Sequence, residues 1–115
     1  MEKAFELGCD RVIVLLTRPE HIPRDSKQDE LLAAMIRRKY PAAAEKLCQR
    51  AQRYNESVAL AQEYARQGKA LIVAPADTCG VSTLSRDQTA LQRLYEKGYA
   101  DGHKIEDFMC ESISF

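Results

Sequence analysis

A chain of 115 residues, 45% apolar and 30% charged, has room for one domain or part of one and is too apolar to be disordered. Its 17 basic and 17 acidic residues cancel, so no global field draws it to nucleic acid, and no nucleic-acid partner is expected. The four cysteines, Cys9, Cys48, Cys79 and Cys110, make no C-x-x-C pair and have no histidine at ligand spacing, so neither a metal nor a cofactor is expected.

In chain order, Glu2 to Leu7 reads as the last turns of a helix, with Gly8 just past its end. Met1 stands directly before Glu2-Lys3-Ala4 with nothing to cap that helix, as in a chain cut from a longer polypeptide. A strand over about residues 11–16 follows; its aliphatic run, Val12 to Leu16, has no polar alternation and so asks for burial on both faces. Thr17-Arg18-Pro19 closes it, because proline cannot donate to a ladder. After a loop through Pro23, Asp25-Ser26 supplies capping oxygens to a helix whose inner face is Leu31, Leu32, Met35 and Ile36. Arg37-Arg38-Lys39 reads as the solvated end of that helix, where cations complement the dipole.

Pro41 suits the first position of the next helix. Tyr40, Ala44, Leu47, Ala51, Tyr54, Val58, Ala61 and Ala65 alternate at spacings of four and three, a heptad-like seam. It predicts a helix up to Gly68, about 40 Å long at ~1.5 Å per residue, with Tyr54-Asn55 as the point most open to a break. A second aliphatic strand, about residues 70–74, lies between Gly68 and Pro75 and repeats the logic of the first. Two such strands joined by helices imply a parallel α/β arrangement. Beyond a loop at Ala76 to Val81, Ser85-x-x-Gln88 has capping-box spacing with Leu84 as staple residue. The last helix carries Leu91, Leu94, Tyr95, Gly98, Gly102, Ile105 and Met109 on one side, with the two glycines offering close backbone approach. The tail to Phe115 is uninformative. The leucine and tyrosine stripes are core-facing by spacing, and no amphipathic segment with a basic rim marks a lipid-binding helix. With no signal peptide and no apolar run near ~18 residues, the composition points to the cytoplasm.

Two parallel strands make an unfinished sheet with two open edges. Leaving one face of Val12 to Leu16 in water would forfeit two or three aliphatic burials at about 1.5–3 kcal/mol each, roughly the whole stability of a small domain. Another sheet portion is therefore expected, from an upstream half of a longer protein or from a second copy of the chain.

Taken in order, Ala4-x-x-x-Gly8-x-Asp10, the strand ending Thr17-Arg18-Pro19, Arg53-Tyr54-Asn55, Leu71-Ile72-Val73-Ala74-Pro75 and Leu94-Tyr95-x-x-Gly98-Tyr99-x-Asp101-Gly102 resemble the carboxyl-terminal part of bacterial patatin-like phospholipases. The resemblance spans about residues 2 to 109 and implies a three-layer α/β/α hydrolase that cleaves lipid acyl or other carboxylic esters with a Ser-Asp dyad. The family's glycine-rich oxyanion loop, G-x-S-x-G elbow and D-G-G/A turn are absent here, and Asp101-Gly102 lies in a helical pattern instead. No catalytic residue is therefore assigned, and the chain alone is expected to be inactive.

Other chemistry is sparse. Cys79 with His103 would suit a nucleophile and base, but no spacing places them together, and His21 reads as a solvated loop residue between two prolines. Thr17, Arg18 and Asp77 are ligand-binding candidates because ligands of open α/β sheets bind outside the carboxyl ends of strands. The plainer reading is that they only cap turns. Two functions follow: the non-catalytic carboxyl-terminal portion of a patatin-like hydrolase, partnered by its amino-terminal catalytic half, or an autonomous interaction or small-ligand-binding module that self-associates through a strand edge.

Overall fold

The computed structural model describes residues 1–111; the carboxyl-terminal tail lies outside the described residues. The order is α1 (Glu2–Glu6), β1 (Val12–Leu15), α2 (Lys27–Ile36), α3 (Pro41–Arg66), β2 (Ala70–Val73), α4 (Gln88–Gly102) and α5 (Lys104–Glu111). This is a mixed α/β chain, and the two strands pair in parallel from Val12↔Ala70 to Leu15↔Val73. Two compact units are present, one of residues 1–21 with the chain from Ala61 onward, the other Ile22–Leu60.

In the first unit, both strands are launched by the same device. Beyond α1, Gly8 has φ +97, its N–H bonds the Phe5 carbonyl at 3.0 Å, and the Cys9 N–H bonds the Ala4 carbonyl at 3.1 Å. Beyond α3, Gly68 has φ +74, its N–H bonds Ala65 at 3.1 Å, and the Lys69 N–H bonds Tyr64 at 2.9 Å. Both are Schellman motifs, in which a left-handed glycine lets the chain satisfy the last helical carbonyls and turn straight into a strand. Phe5 and Tyr64, on the last turns of the two helices, bring their rings to 4.7 Å between centroids. At the start of β1, Arg11 lies 3.5 Å over the Phe108 ring and donates to the Phe108 carbonyl at 2.8 Å, tying α5 to the strand.

The sheet is less buried than its sequence asks. Ala70 and Val73 of β2 are buried, but β1 is only half-buried and Leu15 is 69% exposed. Among the described residues no strand pairs with the outer edge of either strand. The Val12 N–H bonds Lys69 and the Leu16 N–H bonds Val73, both at 2.9 Å. By the alternation of a parallel ladder, the amides of Ile13 and Leu15 then point to the outer edge.

The carboxyl-terminal helix departs from the expected single stripe. It is two helices that meet at His103, where the apolar spacing runs on but the backbone does not. Asp87, not Ser85, caps α4, accepting from the N–H groups of Thr89 at 3.0 Å and Ala90 at 3.3 Å. The Ser85 hydroxyl is taken by the Ser82 N–H at 2.7 Å. No residue of α4 is buried, and a Cβ built at Gly98 or Gly102 would meet nothing within 4 Å, so neither glycine serves a close approach.

In the second unit, α3 passes Tyr54-Asn55 without a break. Asn55 has a different task. Its Oδ1 accepts from the Arg24 N–H at 2.8 Å and its Nδ2 donates to the Arg24 carbonyl at 3.2 Å, clasping the loop before α2 as a neighbouring strand would. Ala44 and Ala51 of the seam are buried and Leu47, Tyr54 and Val58 half-buried, as their spacing predicts, while Tyr40 is exposed.

The face of α2 is reversed from the expected one. Asp29 and Ala33 are buried, whereas Leu31, Leu32 and Met35 are exposed and only Ile36 is half-buried. The inward carboxylate explains the choice: Asp29 Oδ1 lies 3.6 Å from Arg50 Nη1, and Oδ2 lies 3.6 Å from Arg24 Nε. Oδ2 makes no hydrogen bond, so charge alone compensates that oxygen. Ser26, the expected cap, turns its hydroxyl to Glu30 at 2.8 Å instead, and Asp25 Oδ1 accepts from the Lys27 N–H at 3.1 Å.

Candidate functional site

The loop that leaves β2 is the most organised polar feature of the first unit. Asp77 Oδ1 accepts from the Cys79 N–H at 2.7 Å, and the Val81 N–H bonds the Thr78 carbonyl at 2.9 Å. The two central residues of that turn both have positive φ, +54 at Cys79 and +75 at Gly80. Glycine adopts this conformation freely; cysteine does so at a cost of about 1–2 kcal/mol. From α4, Lys97 Nζ donates to Asp77 Oδ2 at 2.7 Å. The carboxylate of this turn thus meets an ammonium from α4, with Cys79 half-buried on the turn itself.

The electrostatics follow from that geometry. The Lys97 hydrogen bond, then those from the Cys79 amide and thiol, hold the Asp77 carboxyl at about 2 against an ordinary 3.8. The Asp77 carboxylate in turn raises the Lys97 ammonium above its ordinary range. A carboxyl with a depressed folded-state pKa adds stability above its unfolded value and loses it as pH falls through the folded one. The stability that the Asp77–Lys97 link contributes is therefore expected to be present at pH 4 and to fall away from about 3.8 downward, with the link itself half open at about 2. A carbon-detected titration of the Asp77 carboxyl checks this, with a midpoint near 2 expected and one near 3.8 contradicting it.

Thr17, Arg18 and Asp77 all leave the carboxyl end of the paired strands, as the register requires. Thr17 is exposed, Arg18 is half-buried, and both oxygens of Asp77 are committed to Cys79 and Lys97. Lys97 had no sequence signal, since it stands 20 residues from its partner on an ordinary helix face. His103 is occupied elsewhere, edge-on to Tyr99 at 5.6 Å between centroids and with Nδ1 3.5 Å from Glu106. Asp101 lies within α4, paired with Lys104 at 3.0 Å.

The second unit holds an open groove of about 620 Å³ beside the Arg24–Asn55 clasp. Its polar walls are bonded to one another, Ser26 to Glu30 and Gln52 to Glu56, each at 2.8 Å. Among the described residues no cluster of histidine, cysteine or carboxylate groups could hold a metal ion, and no helix is long and apolar enough to cross a membrane.

No curated protein and no solved structure matches the chain. One family does: residues 40–112 match the family described as a domain of unknown function, DUF6363. The match takes in α3, β2, α4 and α5 and leaves α1, β1 and α2 outside it. The chain belongs to the DUF6363 family.

Proposed function

We propose that the chain is the non-catalytic carboxyl-terminal portion of a patatin-like serine hydrolase, whose remaining portion cleaves lipid acyl or other carboxylic esters with a Ser-Asp dyad. The observation that carries this reading is the two-stranded sheet: β1 and β2 run parallel, have no strand partner on their outer edges among the described residues, and leave Leu15 69% exposed. Purely parallel sheets are stable when both faces are covered, which favours these strands as inner strands of a larger three-layer α/β/α sheet. The ordered resemblance, from Ala4 to Gly102, suggests the family. In that sheet Thr17, Arg18 and Asp77 border the end at which ligands bind.

The alternative, self-association through the strand edge, is less well supported. A two-fold-related copy would set β1 against its own mate in antiparallel fashion, whereas this sheet is parallel. The purified chain is expected to show no turnover of a short-chain nitrophenyl ester above the blank. Turnover abolished by a point substitution within the chain would overturn the proposal, and an in-frame G-x-S-x-G and D-G-G/A upstream of Met1 would establish the parentage.

A further inference from the structure

The exposed face of α2 carries a pattern that the rest of the unit does not use. Lys27, Leu31, Met35 and Arg38 follow at intervals of four, four and three, one ridge along a helix. The ridge continues past the C-cap because the Tyr40 N–H still bonds the Ile36 carbonyl at 2.7 Å, which keeps Arg38 in helical register. Leu31 is 70% exposed and Met35 80%, with Leu32 and Tyr40 about half exposed beside them. Between Asp25 and Tyr40 the exposed charges are Lys27, Arg37, Arg38 and Lys39 against Asp25 and Glu30, because Asp29 is buried between Arg24 and Arg50. Glu30 is turned aside by its hydrogen bond with Ser26. The outward surface is therefore apolar along its centre and cationic at its carboxyl-terminal end, where Arg37, Arg38 and Lys39 stand together, in a chain whose total charge is zero.

We propose that this face of α2, which apolar spacing in the sequence did not mark as lipid-binding because it set Leu31 and Met35 in the core, docks on an anionic lipid bilayer surface, with Leu31 and Met35 entering the headgroup boundary and Arg38 meeting lipid phosphates. Charge complementarity selects this occupant. A protein surface laid over Leu31 and Met35 would also have to cover the Arg37-Arg38-Lys39 cluster and supply a carboxylate for each cation. Anionic headgroups supply that charge everywhere, and the long stems of lysine and arginine can lie along the apolar boundary with their heads at the phosphates. Nucleic acid would satisfy the cations but offers nothing to Met35 and Leu31. The inference goes beyond the hydrolase reading and does not depend on ester cleavage.

The test is co-sedimentation of the whole chain with large vesicles of ether-linked lipids, which no esterase can consume. One set is phosphatidylcholine alone, and the other carries about a third phosphatidylglycerol. Binding is expected to be at least ~10-fold tighter on the anionic vesicles and to fall as salt is raised from about 0.05 to about 0.5 M. Met35→Glu and Arg38→Glu are each expected to weaken it at least ~5-fold, and both residues are exposed enough for the fold to be kept, as circular dichroism checks. Leu84→Glu, at a residue 88% exposed in the other unit, is expected to leave binding unchanged. Equal binding to neutral vesicles, absence of binding to anionic ones, or binding indifferent to both Met35→Glu and Arg38→Glu would overturn the proposal. So would tight binding of an oligonucleotide that Arg38→Glu abolishes and Met35→Glu spares.

Discussion

Arg24→Ala is expected to lower stability by about 2–4 kcal/mol, measured by urea denaturation of the whole chain. The reason lies on the partner. Asp29 has only 6% of its side chain exposed, its Oδ2 makes no hydrogen bond, and Arg24 is the cation beside that oxygen. Removing the guanidinium leaves a buried carboxylate with one half-exposed arginine for compensation. Arg50→Ala, at a side chain 53% exposed, is expected to cost less, about 1 kcal/mol, since water already screens that side of the pair. The clasp between Asn55 and the Arg24 backbone survives both substitutions, so the difference between them reports the carboxylate and not the loop. Equal losses, or a loss below that of Arg50→Ala, would contradict the account of why α2 turns Asp29 inward.

Gly68→Ala is expected to cost about 1–2 kcal/mol by the same measurement, with no cavity or clash involved. A Cβ at this position would meet nothing within 4 Å, so the whole effect is the price of placing an L-residue at φ +74. Gly8→Ala imposes the same local strain at φ +97 but at the end of a five-residue helix, which can unravel instead. Its effect on global unfolding is expected to be smaller, and the two losses to add. A neutral Gly68→Ala would mean that the helix-to-strand junction before β2 does not depend on the Schellman geometry.

These junctions were legible in the sequence because local chemistry decides them. A glycine that ends a helix, an aliphatic run and a closing proline specify helix, turn and strand with little help from distant residues, and both copies came out at their expected places within a residue or two. The parallel pairing followed from the helices between them. Non-local compensation was not legible. Spacing marks Leu31, Leu32, Met35 and Ile36 as a stripe but is silent on which way a ten-residue helix turns when Arg24 and Arg50, 26 residues apart, neutralise the opposite side. The same limit hid Lys97 from Asp77 and Phe108 from Arg11. At the α4 cap two local signals competed: the Ser85 hydroxyl went to Ser82, and Asp87, one residue from the helix, took the free amides. The division at His103 was masked because apolar spacing continues across it from Gly102 to Ile105.

The exposed β1 is the structural feature on which the proposed patatin-like reading rests, since that reading requires further strands beside it. A strand with Val12, Ile13, Val14 and Leu15 in sequence is made for an interior, and here it stands at an edge. The turn at Asp77 and Cys79, held by Lys97 of α4, gives the carboxyl end of the two strands a fixed, charged border.

Amide hydrogen exchange of β1, read residue by residue at low and high protein concentration, tests this most directly. The Leu16 amide, bonded to Val73 within the sheet, is expected to be protected, whereas the outward amides of Ile13 and Leu15 are expected to exchange at least ~10-fold faster at both concentrations. Protection of Ile13 and Leu15 equal to that of Leu16 at every concentration, or gained as concentration rises, would contradict the account, because the edge would then be satisfied by the chain itself or by a second copy of it.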